Sequence, residues 1–196
     1  MRKHSHAQCG GRSRRRSKAV QPYQQGQLDG LCGVYSIVNA VRVLCPELSK
    51  DNFECLFDHL MQSLPRVGAD ASTTVAGGIG QRVFAALLKE AIAEMAAECD
   101  VSMTCRRLPK KFRHSAKLGG LFRKLESMLS PTCVAVLGMD GTHNHWTVAV
   151  NATQSRIKLF DSSKMSVLRR SDCTIGKAVN RTGISMSHVF LVERSD

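Results

Sequence analysis

The sequence predicts an α+β domain in which an N-terminal helical half packs on a C-terminal antiparallel sheet. Apolar residues recur with helical spacing as far as residue 130, whereas the remainder holds short β-branched runs separated by turn residues. Helices that precede strands in this way are typical of α+β domains. The 196 residues are 43% hydrophobic and 22% charged, which predicts a single globular domain over residues 21–196.

Four segments have the helical pattern. They are residues 33–45, 49–65, 81–99 and 117–130. The first has apolar residues at i, i+3, i+4 and i+7 and ends at Pro46, and the second can be capped by Ser49 or Asp51. The third is dense in Ala, Leu, Glu and Met and is the strongest helix former. Residues 66–80 are rich in small residues and predict a loop.

Five short runs are β-prone. They are "VSMTCRRL", "TCVAVLGM", "HWTVAVNA", "RIKLFDSS" and "SHVFLVER". The third and fourth are separated by turn residues and predict a hairpin around "NATQS". In such a hairpin the start of the first strand lies beside the end of the second, which brings His145 and Asp161 together.

The net charge of +12 is concentrated near the N-terminus. Residues 1–18 hold seven Lys or Arg and no Asp or Glu, so residues 1–20 are predicted to be a disordered basic tail. A tail of this kind can dock an acidic partner, but no nucleic-acid-binding module is recognisable.

Neither a membrane span nor an exported, disulfide-linked protein is predicted. No apolar run approaches the ~20 residues of a transmembrane helix, and the first residues lack a signal-peptide apolar region. The eight cysteines include no CxxC pair, so reduced thiols in a cytoplasmic protein without cofactor or metal are expected.

Cys32 stands between glycines at the start of the first helix, in "DGLCGVYS". A helix N-terminus favours the thiolate, which is the nucleophilic form of cysteine, through its dipole and its free backbone N–H groups. The same N–H groups can stabilise an oxyanion. Cys32 is therefore the candidate nucleophile.

A cysteine nucleophile needs a base, and His145 at the start of the strand "HWTVAV" is the candidate. His143, two residues earlier, is the second candidate. Asp161, at the end of the next strand, can accept from the imidazole and fix its tautomer.

Cys-Gly at the start of a long helix, a distant His-Trp strand and a strand that ends in Asp together resemble the papain-like cysteine peptidase superfamily. The bacterial peptidases that process bacteriocin leaders are the most similar type, and the resemblance covers residues 25–45 and 143–163. It implies a papain-like fold with Cys32 as nucleophile, His145 as general base and acid, and Asp161 as the residue that orients the imidazole. It also implies an oxyanion-hole glutamine near Gly26, for which Gln25 and Gln27 are candidates and Gln27 is favoured.

The predicted function is hydrolysis of peptide or isopeptide bonds in a protein or peptide substrate through an acyl-enzyme. Two alternatives stay open. The same three residues can serve an acyltransferase, transglutaminase or deamidase, and the fold can serve as a non-catalytic binding module. Residues 66–80 and the basic segment 106–117 are candidates for framing the cleft.

Overall fold

The computed structural model describes residues 20–26, 29–115, 117–177 and 179–195. Nearly all of the tail predicted over residues 1–20 therefore lies outside the described residues. The helices are α1 (Cys32–Leu44), α2 (Lys50–Ser63), α3 (Ala71–Gly77), α4 (Gln81–Cys99), α5 (Lys110–Ser115) and α6 (Leu118–Met128). The strands are β1 (Met103–Arg107), β2 (Cys133–Gly141), β3 (His145–Ala152), β4 (Arg156–Phe160), β5 (Val167–Arg169), β6 (Cys173–Ile175) and β7 (Thr182–Arg194).

One sheet forms the centre of this α+β fold. Its strand order is β1-β7-β2-β3-β4-β5, and each neighbouring pair in this order is antiparallel. The short strand β6 is parallel to β7. The predicted hairpin is confirmed, because Val148 pairs with Phe160 and Ala152 with Ile157 across β3 and β4.

Helices cover both faces of the sheet. Helices α1, α2 and α4 share one buried cluster with Val134, Val136 and Val148, whereas α6 shares a second cluster with Ala135 and Leu137. Alternate residues of a strand point to opposite faces, so β2 supplies side chains to both clusters. This explains why the first seven residues of β2 are all buried and read as one apolar run.

The structure corrects several predicted boundaries. Residues 66–80 are not all loop, because α3 lies within them with Asp70 as its N-cap. The last strand begins at Thr182 and not at Ser187, so it is longer than the run "SHVFLVER" that predicted it, and His188 lies within it. Helix α6 packs on the sheet face opposite to the other long helices, so the helical half is not a single layer. The cap of α2 is Ser49, whose hydroxyl accepts from the Asn52 N–H at 3.3 Å.

Within the described residues, no helix is long and apolar enough to cross a membrane. The seven cysteines in this part of the chain are all free thiols.

Candidate active site

The residues just before Cys32 are held in place by the carboxylate of Asp29. Asp29 accepts hydrogen bonds from the N–H of Gly26 at 2.9 Å and from the N–H of Leu31 at 3.1 Å. Leu31 is the N-cap of α1, and Cys32 is therefore the first residue of the helix. The backbone N–H groups of this first turn have no acceptor inside the helix, because hydrogen bonds begin with Tyr35 N–H to the Leu31 carbonyl. Cys32 is 8% exposed.

The two glycines that flank Cys32, Gly30 and Gly33, make room for another segment of the protein itself. A Cβ on Gly30 would lie 2.7 Å from the backbone nitrogen of Gly78. A Cβ on Gly33 would lie 2.5 Å from the side chain of Ile79. Small residues at both positions therefore let residues 77–80 approach the start of α1 closely.

Helix α1 is fixed to strand β3 beside the candidate base. The Ser36 hydroxyl donates to the carbonyl oxygen of Trp146 at 2.7 Å, and this hydrogen bond is buried. Ser36 is one helical turn after Cys32 and lies on the same helix face, while Trp146 directly follows His145. The hydrogen bond thus sets the position of the thiol relative to the imidazole.

The structure brings Cys32, His145 and Asp161 together. The Nε2–H of His145 donates to Oδ2 of Asp161 at 2.7 Å. Cys32 lines the same cavity as His145 and lies near enough to the imidazole to raise its pKa. Because Nε2 faces the carboxylate, Nδ1 is the ring nitrogen left for the thiol. The side chains of His145 and Asp161 are 10% and 0% exposed, so this contact is shielded from water.

Asp161 is held by its other oxygen. Its Oδ1 accepts from the N–H of Ser163 at 2.8 Å and from the N–H of Met165 at 3.1 Å. The turn after β4 therefore aims Oδ2 at the imidazole. Burial opposes the charge of this carboxylate, but the hydrogen bonds to it and the charge of His145 outweigh burial, and the pKa of Asp161 lies below its ordinary value of 3.8.

The environment of His145 favours the imidazolium form. Burial alone would lower its pKa, but hydrogen bonds and charge from Asp161 and Cys32 outweigh burial and raise the pKa to about 9. An imidazolium between a carboxylate and a sulfur can donate a proton to a leaving group at neutral pH.

A cavity of about 190 Å³ opens beside Cys32 and His145. Residues 77–81 form one wall, and the end of β2 with Asn144, Trp146 and His188 forms the other. The walls are tied together, since the indole N–H of Trp146 donates to the Ile79 carbonyl oxygen at 3.0 Å. Trp146 also stacks on Phe84 of α4, with ring centroids 3.9 Å apart.

The remaining predicted site residues have different outcomes. Gln27, the favoured oxyanion donor, lies outside the described residues. The side-chain amide of Gln25 donates to the carbonyl oxygen of Asp29, and its backbone N–H donates to the Ser162 carbonyl oxygen at 3.0 Å. Gln25 therefore links the residues just before Cys32 to the turn after Asp161. His143 is exposed and does not line the cavity.

Several cavity residues were not singled out from the sequence. Residues 77–81 line the cavity, as the loop expectation suggested, but the described residues of the basic segment 106–117 do not. Gln81 donates from its side chain to the Ser187 carbonyl oxygen at 2.8 Å and joins the two walls a second time. The pKa of His188 is lowered, chiefly by burial. The glycine-rich stretch "GGIGQ" was the available signal, because it permits a backbone surface that side chains do not cover.

No group of three or more His, Cys, Asp or Glu side chains in the described ranges is arranged to hold a metal ion.

Comparisons with known proteins add little to this site. No family model and no curated protein matches the chain. A similar solved structure is the Pseudomonas avirulence protein AvrPphB, at 10% sequence identity and a TM-score of 0.30, over 83% of this chain and 89% of that chain. The assignment of a function therefore depends on the geometry of the cleft.

Proposed function

We propose that this protein is a thiol hydrolase that cleaves peptide or isopeptide bonds through Cys32, His145 and Asp161. The observation that carries the proposal is one imidazole that lies 2.7 Å from a buried carboxylate and lines the same cavity as a helix-terminal thiol. This is the arrangement of a nucleophile, a base and a group that orients the base.

In the acylation step the Cys32 sulfur, having passed its proton to Nδ1 of His145, attacks the carbonyl carbon of the substrate. The carbon–sulfur bond forms, and the carbonyl oxygen becomes an oxyanion beside the N–H groups of the first turn of α1. The imidazolium of His145 then protonates the leaving nitrogen as the carbon–nitrogen bond breaks. Asp161 stays ionised and supports the imidazolium, and the product is a thioester with Cys32.

In the deacylation step neutral His145 takes a proton from water, and the resulting hydroxide oxygen attacks the thioester carbon. The carbon–sulfur bond breaks, the acid product leaves and the Cys32–His145 pair is restored. The 2.7 Å contact with Asp161 keeps the ring in one orientation through both steps.

The size of the cleft suits an extended peptide. At about 190 Å³ it is smaller than the ~300–1,000 Å³ of cavities that enclose a small molecule. Gly77, Gly78 and Gly80 leave the backbone of one wall uncovered, and such a wall can pair with the main chain of an extended segment.

The order Cys, His, Asp and the packing of α1 against the sheet also resemble the papain-like cysteine peptidases, and we include the chain in that superfamily as part of the proposal. An acyltransferase, transglutaminase or deamidase would share the acylation step and differ in the acceptor. The mass of the product separates these reactions: hydrolysis splits the substrate, deamidation of a glutamine adds about one dalton, and acyl transfer adds the acceptor.

The test uses a peptide that carries a thiol-reactive electrophile at its C-terminus. We expect Cys32→Ala to abolish labelling of the folded protein, while the matched variant Cys55→Ala leaves it unchanged, because Cys55 is exposed on α2. Circular dichroism verifies that both variants are folded. Equal labelling of wild type and Cys32→Ala would show that another residue reacts and would refute the proposal.

A further inference from the structure

Arginines face one another at the end of the sheet remote from the cleft. In the β4–β5 pair, Arg156 lies directly opposite Arg169, and Arg170 follows in the next turn. Like charges directly opposite on neighbouring strands destabilise a sheet. A pair of this kind therefore carries a cost that a bound anion would offset.

The same arginines line a cavity of about 410 Å³ together with Ser155 and Ser171. No carboxylate lines the cavity in the described part of the chain. The guanidinium groups of Arg156, Arg169 and Arg170 form no hydrogen bond or ion pair with another described residue, although the backbone N–H of Arg170 donates to the Ser155 carbonyl oxygen at 2.8 Å. Three arginines thus line one cavity, although Nη1 of Arg170 also lies close to Gly119 of α6, and none of the three guanidinium groups has a partner among the described residues.

The rim of the cavity adds one further cation and one acid. Arg181 donates to the carbonyl oxygen of Ser171 at 2.5 Å, which places a fourth guanidinium at the edge. Asp172 accepts a hydrogen bond from the Ser171 hydroxyl at 2.6 Å and is the acid closest in sequence. Positive charge therefore remains in excess around the cavity.

We propose that this arginine cavity, defined by Ser155, Arg156, Arg169, Arg170 and Ser171, binds the phosphate monoester group of a small ligand. A planar guanidinium offers two parallel N–H donors that match two oxygens of a phosphate group, and two such forks can grip one phosphate from opposite strands. A dianion between Arg156 and Arg169 replaces their repulsion by attraction. The volume admits the phosphate and a small attached group.

This site is separate from the proposed catalytic residues. Arg156 begins β4 and Asp161 directly follows its end, so five residues at ~3.3 Å each place them about 16 Å apart along the strand. Substitutions in the arginine cavity therefore leave Cys32, His145 and Asp161 in place, and the proposal does not depend on the hydrolase.

The experiment measures binding by calorimetry and thermal unfolding of the full chain. The soluble probes are inorganic phosphate and glycerol 3-phosphate, and the membrane probe is a vesicle of phosphatidylcholine with phosphatidic acid. Binding of the soluble ester alone or of the vesicle as well identifies the source of the phosphate group. The variants are Arg169→Gln, Arg169→Lys and the charge-matched control Lys89→Gln, which alters an exposed residue of α4.

We expect saturable binding of glycerol 3-phosphate, weakened about tenfold or more in Arg169→Gln, because a charge-assisted hydrogen bond is lost. Arg169→Lys keeps the charge but loses the fork, so its affinity also falls, whereas Lys89→Gln binds as wild type does. Without any probe, Arg169→Gln unfolds at the same or a higher temperature than wild type, because the repulsion is gone. It no longer gains stability from phosphate.

Three outcomes would overturn the proposal. One is the absence of saturable binding of any phosphate probe. Another is equal weakening in Arg169→Gln and Lys89→Gln, which would mean diffuse attraction to a basic protein. The third is unchanged affinity in Arg169→Lys together with tight binding of an oligonucleotide, which would assign the patch to a nucleic-acid backbone.

Discussion

Replacement of Asp161 by Asn changes the electrostatics of the site while it preserves the turn. Oδ1 of Asp161 accepts both backbone hydrogen bonds, from Ser163 and Met165, whereas Oδ2 faces His145. An asparagine can keep its carbonyl oxygen on the two N–H groups, and its NH₂ group then faces the imidazole. Because NH₂ is a donor, Nε2 of His145 must become an acceptor, and the ring is neutral.

The magnitude follows from the pKa of His145. Its value of about 9 against an ordinary 6.5 corresponds, at about 1.4 kcal/mol per pH unit, to about 3 kcal/mol in favour of the imidazolium. An opposite charge in contact with an ionisable group shifts its pKa by ~1–3 pH units, so Asp161→Asn is expected to lower the pKa of His145 by that amount. Cys32 is still present beside the imidazole in the variant, so its part of the rise in the pKa of His145 remains.

The assay is the pH titration of the imidazole Cε1–H resonances in the NMR spectrum. The chain has seven histidines, and the His145 signal is assigned by its absence in His145→Gln. Wild-type His145 is expected to titrate near pH 9 and the Asp161→Asn signal well below it. The rate of peptide cleavage should fall roughly a hundredfold, since Nδ1 then carries the ring proton and cannot accept one from Cys32. Titration of His145 at the same pH in both proteins would refute the proposed role of Asp161.

Three further predictions concern stability. Gly33→Ala places a Cβ 2.5 Å from the Ile79 side chain, so crowding of ~1–3 kcal/mol outweighs a helix-propensity gain of about 1 kcal/mol and the variant should be less stable. The control is Gly77→Ala, whose Cβ meets no atom within 4 Å and which should be neutral or stabilising. Urea unfolding of both variants measures the difference. Ser36→Ala removes the buried hydrogen bond to Trp146 and should lower the free energy of unfolding by about 1–2 kcal/mol; an unchanged urea midpoint would speak against that link. Because the pKa of Asp161 is lowered in the fold, this carboxylate stabilises the fold above pH 3.8, and the stabilisation should be lost as the pH falls through the folded-state pKa. Acid unfolding of Asp161→Asn should lack this loss.

The pH dependence on the alkaline side has the opposite sign. Because the pKa of His145 is raised, its stabilisation is complete below pH 6.5 and is lost as the pH rises through about 9. The free energy of unfolding of wild type should therefore decline across this range more than that of His145→Gln, as urea titrations at pH 6, 7.5 and 9 can measure. Parallel declines in the two proteins would contradict the proposed environment of His145.

Sequence patterns predicted the parts of the fold that have long, regular periodicity. Helices α2, α4 and α6 each bury apolar residues on one face, whereas α1 is buried nearly all round; both patterns are visible in the chain. Helix α3 buries only Thr74 and α5 buries no residue, so neither has an apolar period to detect. Strands β5 and β6 have three residues each, which is too short for an alternation to be recognised.

The site was predictable where it depends on local chain geometry. A hairpin of β3 and β4 brings His145 beside Asp161, whatever the rest of the fold does. The cavity wall formed by residues 77–81 was harder to predict from the sequence, because its position depends on contacts with Gly30, Gly33 and Trp146, which are distant in sequence. The arginine cavity likewise depends on the β4–β5 register, which places Arg156 opposite Arg169.

The central claim is that Cys32 receives the acyl group and that His145 makes it reactive. The most direct measurement is rapid acid quenching of a reaction with a peptide thioester, followed by mass mapping of the tryptic peptides. The predicted result is the acyl mass on the peptide that contains Cys32, formed at least a hundredfold more slowly in His145→Ala. Acylation at a different cysteine, or at Cys32 with equal rates in both proteins, would contradict it.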